Sequence, residues 1–167
     1  MMKVTSFILG IAILASLFIF FRPSSTIDGD EQVTEEMNNV ISNYIQDKYK
    51  REDTPSSKTF EVHKVYGTEE IDGIISLYLY TQYGEYEGDE LIQGHSYPVR
   101  IRLEKSGSSY TVTEYTKPES GYYYPSSIED MFPKKYARKA LKDTGNVHDL
   151  SEQMDNKVKD WLAESKK

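Results

Sequence analysis

Three histidines, His63, His95 and His148, are the side chains of this sequence suited to hold a transition metal or to move a proton near neutral pH. They lie in three separate segments, and there is no His-Glu-x-x-His or other close pair that would put two ligands on one helix face. His63 reads as an exposed strand residue and His148 as part of the first turn of a helix. Of the three, His95, flanked by Gly94 and Ser96-Tyr97-Pro98, is the candidate for ligand contact, because loops carry function more often than strands do, although its plain reading is a turn residue. Nucleophile elbows and phosphate-cradling glycine loops are absent. Carboxylates are plentiful: Glu85, Glu87, Asp89 and Glu90 crowd one acidic stretch without the ligand order of a calcium loop. Converging acids could still hydrolyse a glycosidic bond, and Glu61, Glu85 and Glu114 are the candidates for that chemistry.

The stronger pattern is one of recognition. Ile74 to Tyr83 alternates apolar residues with Tyr78 and Tyr80, and Arg100 and Arg102 alternate with Val99, Ile101 and Leu103. If the odd positions face a core, then Tyr78, Tyr80, Arg100 and Arg102 share the opposite, open face of a sheet, beside Glu61 and His63. Tyrosine mixed with arginine is enriched at binding surfaces. Cross-strand Tyr and Arg pairs equally stabilise a half-exposed sheet, by about 0.2–1 kcal/mol each. Tyr122, Tyr123 and Tyr124 form a second candidate, since three adjacent aromatics outside any periodic segment cannot all be buried by one face.

These residues need a scaffold. The chain has 167 residues, a formal charge of −7, no cysteine and fourteen tyrosines. The acidic balance argues against a nucleic-acid partner, whose phosphates are met by clustered Lys and Arg. Without cysteine there is no disulfide, no thiolate metal site and no Cys nucleophile. Val4 to Phe21 carries no charge and lies between Lys3 and Arg22; as a helix it would cross roughly 27 Å, close to the hydrocarbon thickness of a bilayer. Its end in Phe-Ile-Phe-Phe-Arg-Pro lacks the small-x-small site of a cleavable signal and so predicts an uncleaved anchor, with cleavage near Ser24 and Ser25 as the alternative. Lys3 favours a cytoplasmic N-terminus, and hence a domain outside the membrane. The expected organisation is a transmembrane signal anchor over 1–22, a linker over 23–30 and one α+β domain over 31–167.

Within the domain, Val33, Met37, Val40, Ile41, Tyr44, Ile45 and Tyr49 predict a helix from about Glu31 to Lys50, with Asp30 as N-cap. Alternation predicts four strands: Phe60 to Tyr66, Ile74 to Tyr83, Val99 to Glu104 and Tyr110 to Tyr115. A Gly67 to Gly73 turn, a loose Gly84 to Gly94 connection and Ser106-Gly107-Ser108 join them as a four-stranded antiparallel meander. Ser126-Ser127-Ile128-Glu129 has the spacing of a capping box opening a short helix, a second segment runs to Lys142, and a last amphipathic helix carries Val147, Leu150, Met154, Val158, Trp161 and Leu162. A long helix followed by an antiparallel meander is the order of cystatin-like folds, a likeness of topology that transfers no activity.

At Phe60 to Lys64, Leu77 to Tyr80 with Tyr83 to Tyr86, Gly94 to Pro98, and Glu114-Tyr115 leading to Pro118 and Gly121-Tyr122-Tyr123, the chain resembles poorly characterised extracytoplasmic domains of Gram-positive bacteria. Similar segments occur in small membrane-anchored proteins and as C-terminal appendages of proteins related to β-lactam-sensing antirepressor metallopeptidases. The resemblance covers roughly Phe60 to Leu141 and implies an accessory or sensory role outside the membrane. It brings no catalytic residues, and this chain has no metalloprotease zinc motif. The expectation is therefore a membrane-held binding or regulatory module with no cofactor, engaging a protein, peptide or envelope component through the Tyr/Arg face. A hydrolase built on converging carboxylates and a structural partner of another membrane protein stand as the alternatives.

Overall fold

From Ile74 to Gly84 the chain carries no charged residue, so a strand there can be buried on both sides. That is what the computed structural model, which describes residues 25–54 and 56–165, contains. A short strand β1 (Ser25–Asp28) precedes the long helix α1 (Glu35–Tyr49); β2 (Lys58–Ile71), β3 (Ile74–Glu87), β4 (Glu90–Ser106) and β5 (Ser109–Thr116) follow. After a 3-10 turn at Gly121–Tyr123 come α2 (Tyr124–Met131), α3 (Lys134–Asp143) and α4 (His148–Glu164). The sheet has five antiparallel strands in the order β1-β2-β3-β4-β5.

The expected fold is corrected in three respects. The meander has a fifth strand, β1, formed by residues read as linker and paired from Ser25↔Glu70 to Asp28↔Gly67. The chain therefore enters the domain as a strand before it forms the helix, which removes the cystatin-like order. The helices cover both faces of the sheet instead of one. The expected anchor over 1–22 lies outside the described residues, and among the described residues no helix is long and apolar enough to cross a membrane.

On one face, Met37, Ile41 and Ile45 of α1 pack on Ile75, Leu77, Leu79, Tyr83, Val99, Ile101 and Leu103. This is the inward-facing odd set of the sequence reading, and each fully buried aliphatic side chain contributes roughly 1.5–3 kcal/mol. On the other face, Val62, Tyr66, Tyr78 and Tyr80 meet Ile128, Met131, Phe132, Tyr136, Ala140, Leu150 and Met154. Tyr78 and Tyr80 are only 5% and 2% exposed. Their rings stay dry while their hydroxyls reach partners, Tyr78 donating to Glu69 at 3.0 Å and Tyr80 to the Ser96 carbonyl at 3.4 Å. The recognition face expected there is closed by α2, α3 and α4.

Local signals also shift. Thr34, not Asp30, caps α1, accepting from the Met37 amide at 3.2 Å. Ser126 and Ser127 sit inside α2 and return their hydroxyls to the carbonyls of Tyr123 and Tyr124, so they form no capping box. The β2–β3 connection is the two-residue turn Asp72-Gly73, both at positive φ, which suits a hairpin. Bulges between Val65 and Gly67 in β2 and between Val112 and Glu114 in β5 change the strand phase. The second places Glu114 on the face opposite Val112.

Candidate functional site

β1 pairs with Gly67 to Glu70, so among the described residues Lys58 to Val65 of β2 has β3 on one side and no strand on the other. That free edge is flanked by α1 and α4, and a cleft of about 560 Å³ opens along it. Asn38, Asn39 and Ser42 of α1 form one wall and Asp149, Gln153 and Lys157 of α4 the other, with Glu61 to Val65 as floor. Lys157 Nζ donates to the Glu61 carbonyl oxygen at 2.9 Å, which shows that the main chain of Glu61 turns outward to the cleft. By the two-residue repeat of an antiparallel strand, the main chain of His63 turns the same way.

Glu61 is 1% exposed. Its carboxylate accepts from Ser42 Oγ at 2.6 Å, Thr81 Oγ1 at 2.8 Å and His63 Nδ1 at 3.1 Å. Burial pushes the Glu61 pKa up, but the His63, Ser42 and Thr81 interactions outweigh it and hold the group below its ordinary range. His63 Nε2 meets Asn38 Oδ1 at 3.0 Å on the cleft side. The carboxylate thus orients the imidazole, as in a general-base dyad, but the only hydroxyls on Glu61 are those of Ser42 and Thr81. Among the described residues no nucleophile stands on Nε2, which Asn38 occupies, and the pair lies in the polar floor of the cleft.

The other sequence candidates fall into separate places. Glu85 is buried and accepts from Thr54 Oγ1 at 2.6 Å, Gln93 Nε2 at 2.7 Å and Ser57 Oγ, with the Arg51 amide at 3.4 Å. Burial raises its pKa and these donors bring it below the usual carboxylate value, so it pins the loop after α1 to the sheet. Glu85→Ala should raise the rate of proteolytic nicking within Arg51 to Ser57 about tenfold while the core strands stay protected from exchange; an unchanged rate would remove the clamp. Glu114 takes Arg100 through Oε1 and Arg102 through Oε2 at 2.7 Å, a half-buried cross-strand clamp. Each candidate acid of the hydrolase alternative therefore has its own partners, and none shares them with another.

His95 lies within β4, not in a loop, because β3 and β4 run on past Gly84 and Gly94, which oppose each other. Its ring stacks on Tyr83 and Tyr97, with centroids at 5.2 and 4.5 Å, and meets the Tyr49 ring edge at 4.2 Å. Burial and then the charge of Lys117 push its pKa down to about 4, so it is neutral at physiological pH. Tyr122 and Tyr123 are exposed and pack edge to face against each other, whereas Tyr124, the first residue of α2, packs half-buried against the core. His148 is exposed at the start of α4, and among the described residues no three His, Cys, Asp or Glu side chains gather as a metal site.

Alternation alone puts Glu61 and His63 on an exposed face beside the tyrosines and gives no sign of Thr81 as a partner of Glu61 or of Gln153 and Lys157 at the cleft. One signal was present: Asn38 and Ser42 stand four residues apart on α1, a polar stripe beside the buried Met37, Ile41 and Ile45. No protein-family model matches this chain, and neither a curated protein nor a solved structure matches it.

Proposed function

We propose that this domain is a membrane-held, extracytoplasmic binding module that captures an extended polypeptide segment by strand addition at the free edge of β2. The observation that carries this reading is the mismatch in strand length: β1 closes only the Gly67 to Glu70 end and leaves Lys58 to Val65 unpaired on the floor of a cleft. A strand laid there, in line with β1, gains main-chain hydrogen bonds from β2 and side-chain contacts from α1 and α4. The polar lining suits a peptide with alternating polar side chains. Lys157 guards the edge when it is empty, as lysines do on exposed edges, and its long exposed side chain can swing aside. This keeps the sequence expectation of a binding module and moves its surface from the buried Tyr78/Tyr80 face to the β2 edge.

The test uses peptides selected from a random twelve-residue display library on the intact domain. Bound peptide should slow amide exchange at Glu61 and His63, and Gln153→Trp, an exposed change on the cleft wall, should weaken binding at least tenfold without altering the melting temperature. Selected peptides that protect no β2 amide and ignore Gln153→Trp would overturn the proposal.

A further inference from the structure

The β1 register places a second surface of the molecule. Ser25 pairs with Glu70, one residue short of the β2–β3 turn, and β1 runs away from that turn toward Asp28. Ser25, the first described residue, therefore lies at the end where Ile71, Asp72 and Gly73 turn and where Ser106 to Ser109 form the β4–β5 turn. With β1 part of the sheet, the linker expected over 23–30 loses most of its length. From Phe21, the last residue of the uncharged run, to Ser25 the chain reaches at most about 14 Å when fully extended. The headgroup layer on one side of a bilayer takes up about 5–8 Å of that. The two turns project beyond Ser25, toward the membrane, and Ile71 is 51% exposed at the tip.

We infer that the β2–β3 turn rests on the phospholipid headgroups, with Ile71 directed at the lipid surface and the sheet standing away from it. The inference rests on the membrane-held reading and is independent of strand addition. Glu70, Asp72 and Glu104 against Lys105 give this end no attraction for anionic lipid, so the short covalent tether holds it there and the occupant is a zwitterionic headgroup surface. At about 3.3 Å per residue, the unpaired Val65 to Lys58 edge then begins roughly 20 Å above the tip of the turn and ends roughly 43 Å above it. The cleft is thus lifted clear of the membrane.

Because the chain contains no cysteine, single labels can be placed without background. The full chain is reconstituted in phosphatidylcholine vesicles, labelled in turn at Ala12→Cys, Ile71→Cys and Asp89→Cys, and quenched with lipids carrying a nitroxide at the headgroup or deep in the acyl chain. The expected result is deep quenching at Ala12, headgroup quenching at Ile71 at least threefold above that at Asp89 in the β3–β4 turn, and little at Asp89. Quenching at Ala12 with equal, weak signals at Ile71 and Asp89 would overturn the orientation while leaving the tether. No quenching at Ala12 would overturn the tether and this inference with it.

Discussion

Glu61→Ala will cost the domain about 1–3 kcal/mol of folding stability, read by urea denaturation at pH 7, because it leaves buried donors without their acceptor. The alanine leaves His63 Nδ1, Ser42 Oγ and Thr81 Oγ1 without the acceptor they share. Thr81, fully buried, cannot turn to water without opening the space between α1 and β2. Glu61→Gln preserves the shape and some of the bonds but removes the charge, and its cost should fall between that of alanine and zero. The sign of the pH dependence follows from the lowered pKa of Glu61. A carboxylate held below its unfolded value stabilises the fold fully above that value, near 4.5. The contribution is lost as pH falls through the lower folded value. Wild type and Glu61→Gln should therefore converge as the solution is acidified from pH 5 toward pH 3. Glu85 and Glu114 also have lowered pKa values and titrate in the same window, but they do so in both proteins and cancel in the difference. Parallel profiles that never converge would show that the Glu61 charge is not what holds α1 on β2.

Period-two patterning correctly assigned Leu77, Leu79, Ile101 and Leu103 to one face, because aliphatic side chains have no stable alternative to burial. It failed on the second face because tyrosine satisfies either environment. Tyr78 buries its ring under Phe132 and Tyr136, Tyr80 is buried in the same core, and their hydroxyls go to Glu69 and to the Ser96 carbonyl. The absence of charge from Ile74 to Gly84 was the available sign of two-sided burial. Glu61 and His63 looked like solvent-facing residues because their partners come from distant segments. Ser42 lies nineteen residues away from Glu61 and Thr81 twenty. Glycine misled in a different way. Gly84 and Gly94 read as loop, yet they face each other within the sheet, where a Cβ on Gly94 would lie 2.8 Å from the Tyr83 carbonyl oxygen. The strand β1 left no compositional trace, since four residues on a sheet edge need only a neighbour with free main-chain groups.

Gly67→Ala should be the most damaging glycine substitution in the sheet, costing about 3 kcal/mol, at the upper end of what overpacking removes. A Cβ at Gly67 would lie 2.1 Å from Tyr136 Oη, 2.2 Å from Tyr136 Cζ and 2.7 Å from the Ile27 carbonyl oxygen. Tyr136 cannot retreat: it is fully buried, and its hydroxyl donates to Asp28 Oδ1 at 2.7 Å and faces the Ile27 carbonyl at 3.2 Å. The phenol lies across Gly67 and clamps β1 to α3, with Lys135 closing on Asp28 beside it. Alanine must lift the ring or push β1 away, and either movement breaks the clamp. In solution, the exchange of the Gly29 amide, which donates to the Tyr66 carbonyl at 3.0 Å, should quicken more than that of any α1 amide. In vesicles the detached β1 lengthens the tether, and headgroup quenching at Ile71 should fall toward the Asp89 value. Tyr136→Leu in the same chain removes the ring and should shrink the penalty of Gly67→Ala, the coupling appearing as non-additivity in a double-mutant cycle. The Ile27 carbonyl contact remains in that background, so the rescue is partial. An additive cycle would mean that the backbone of β1, and not the phenol, sets the requirement for glycine at position 67.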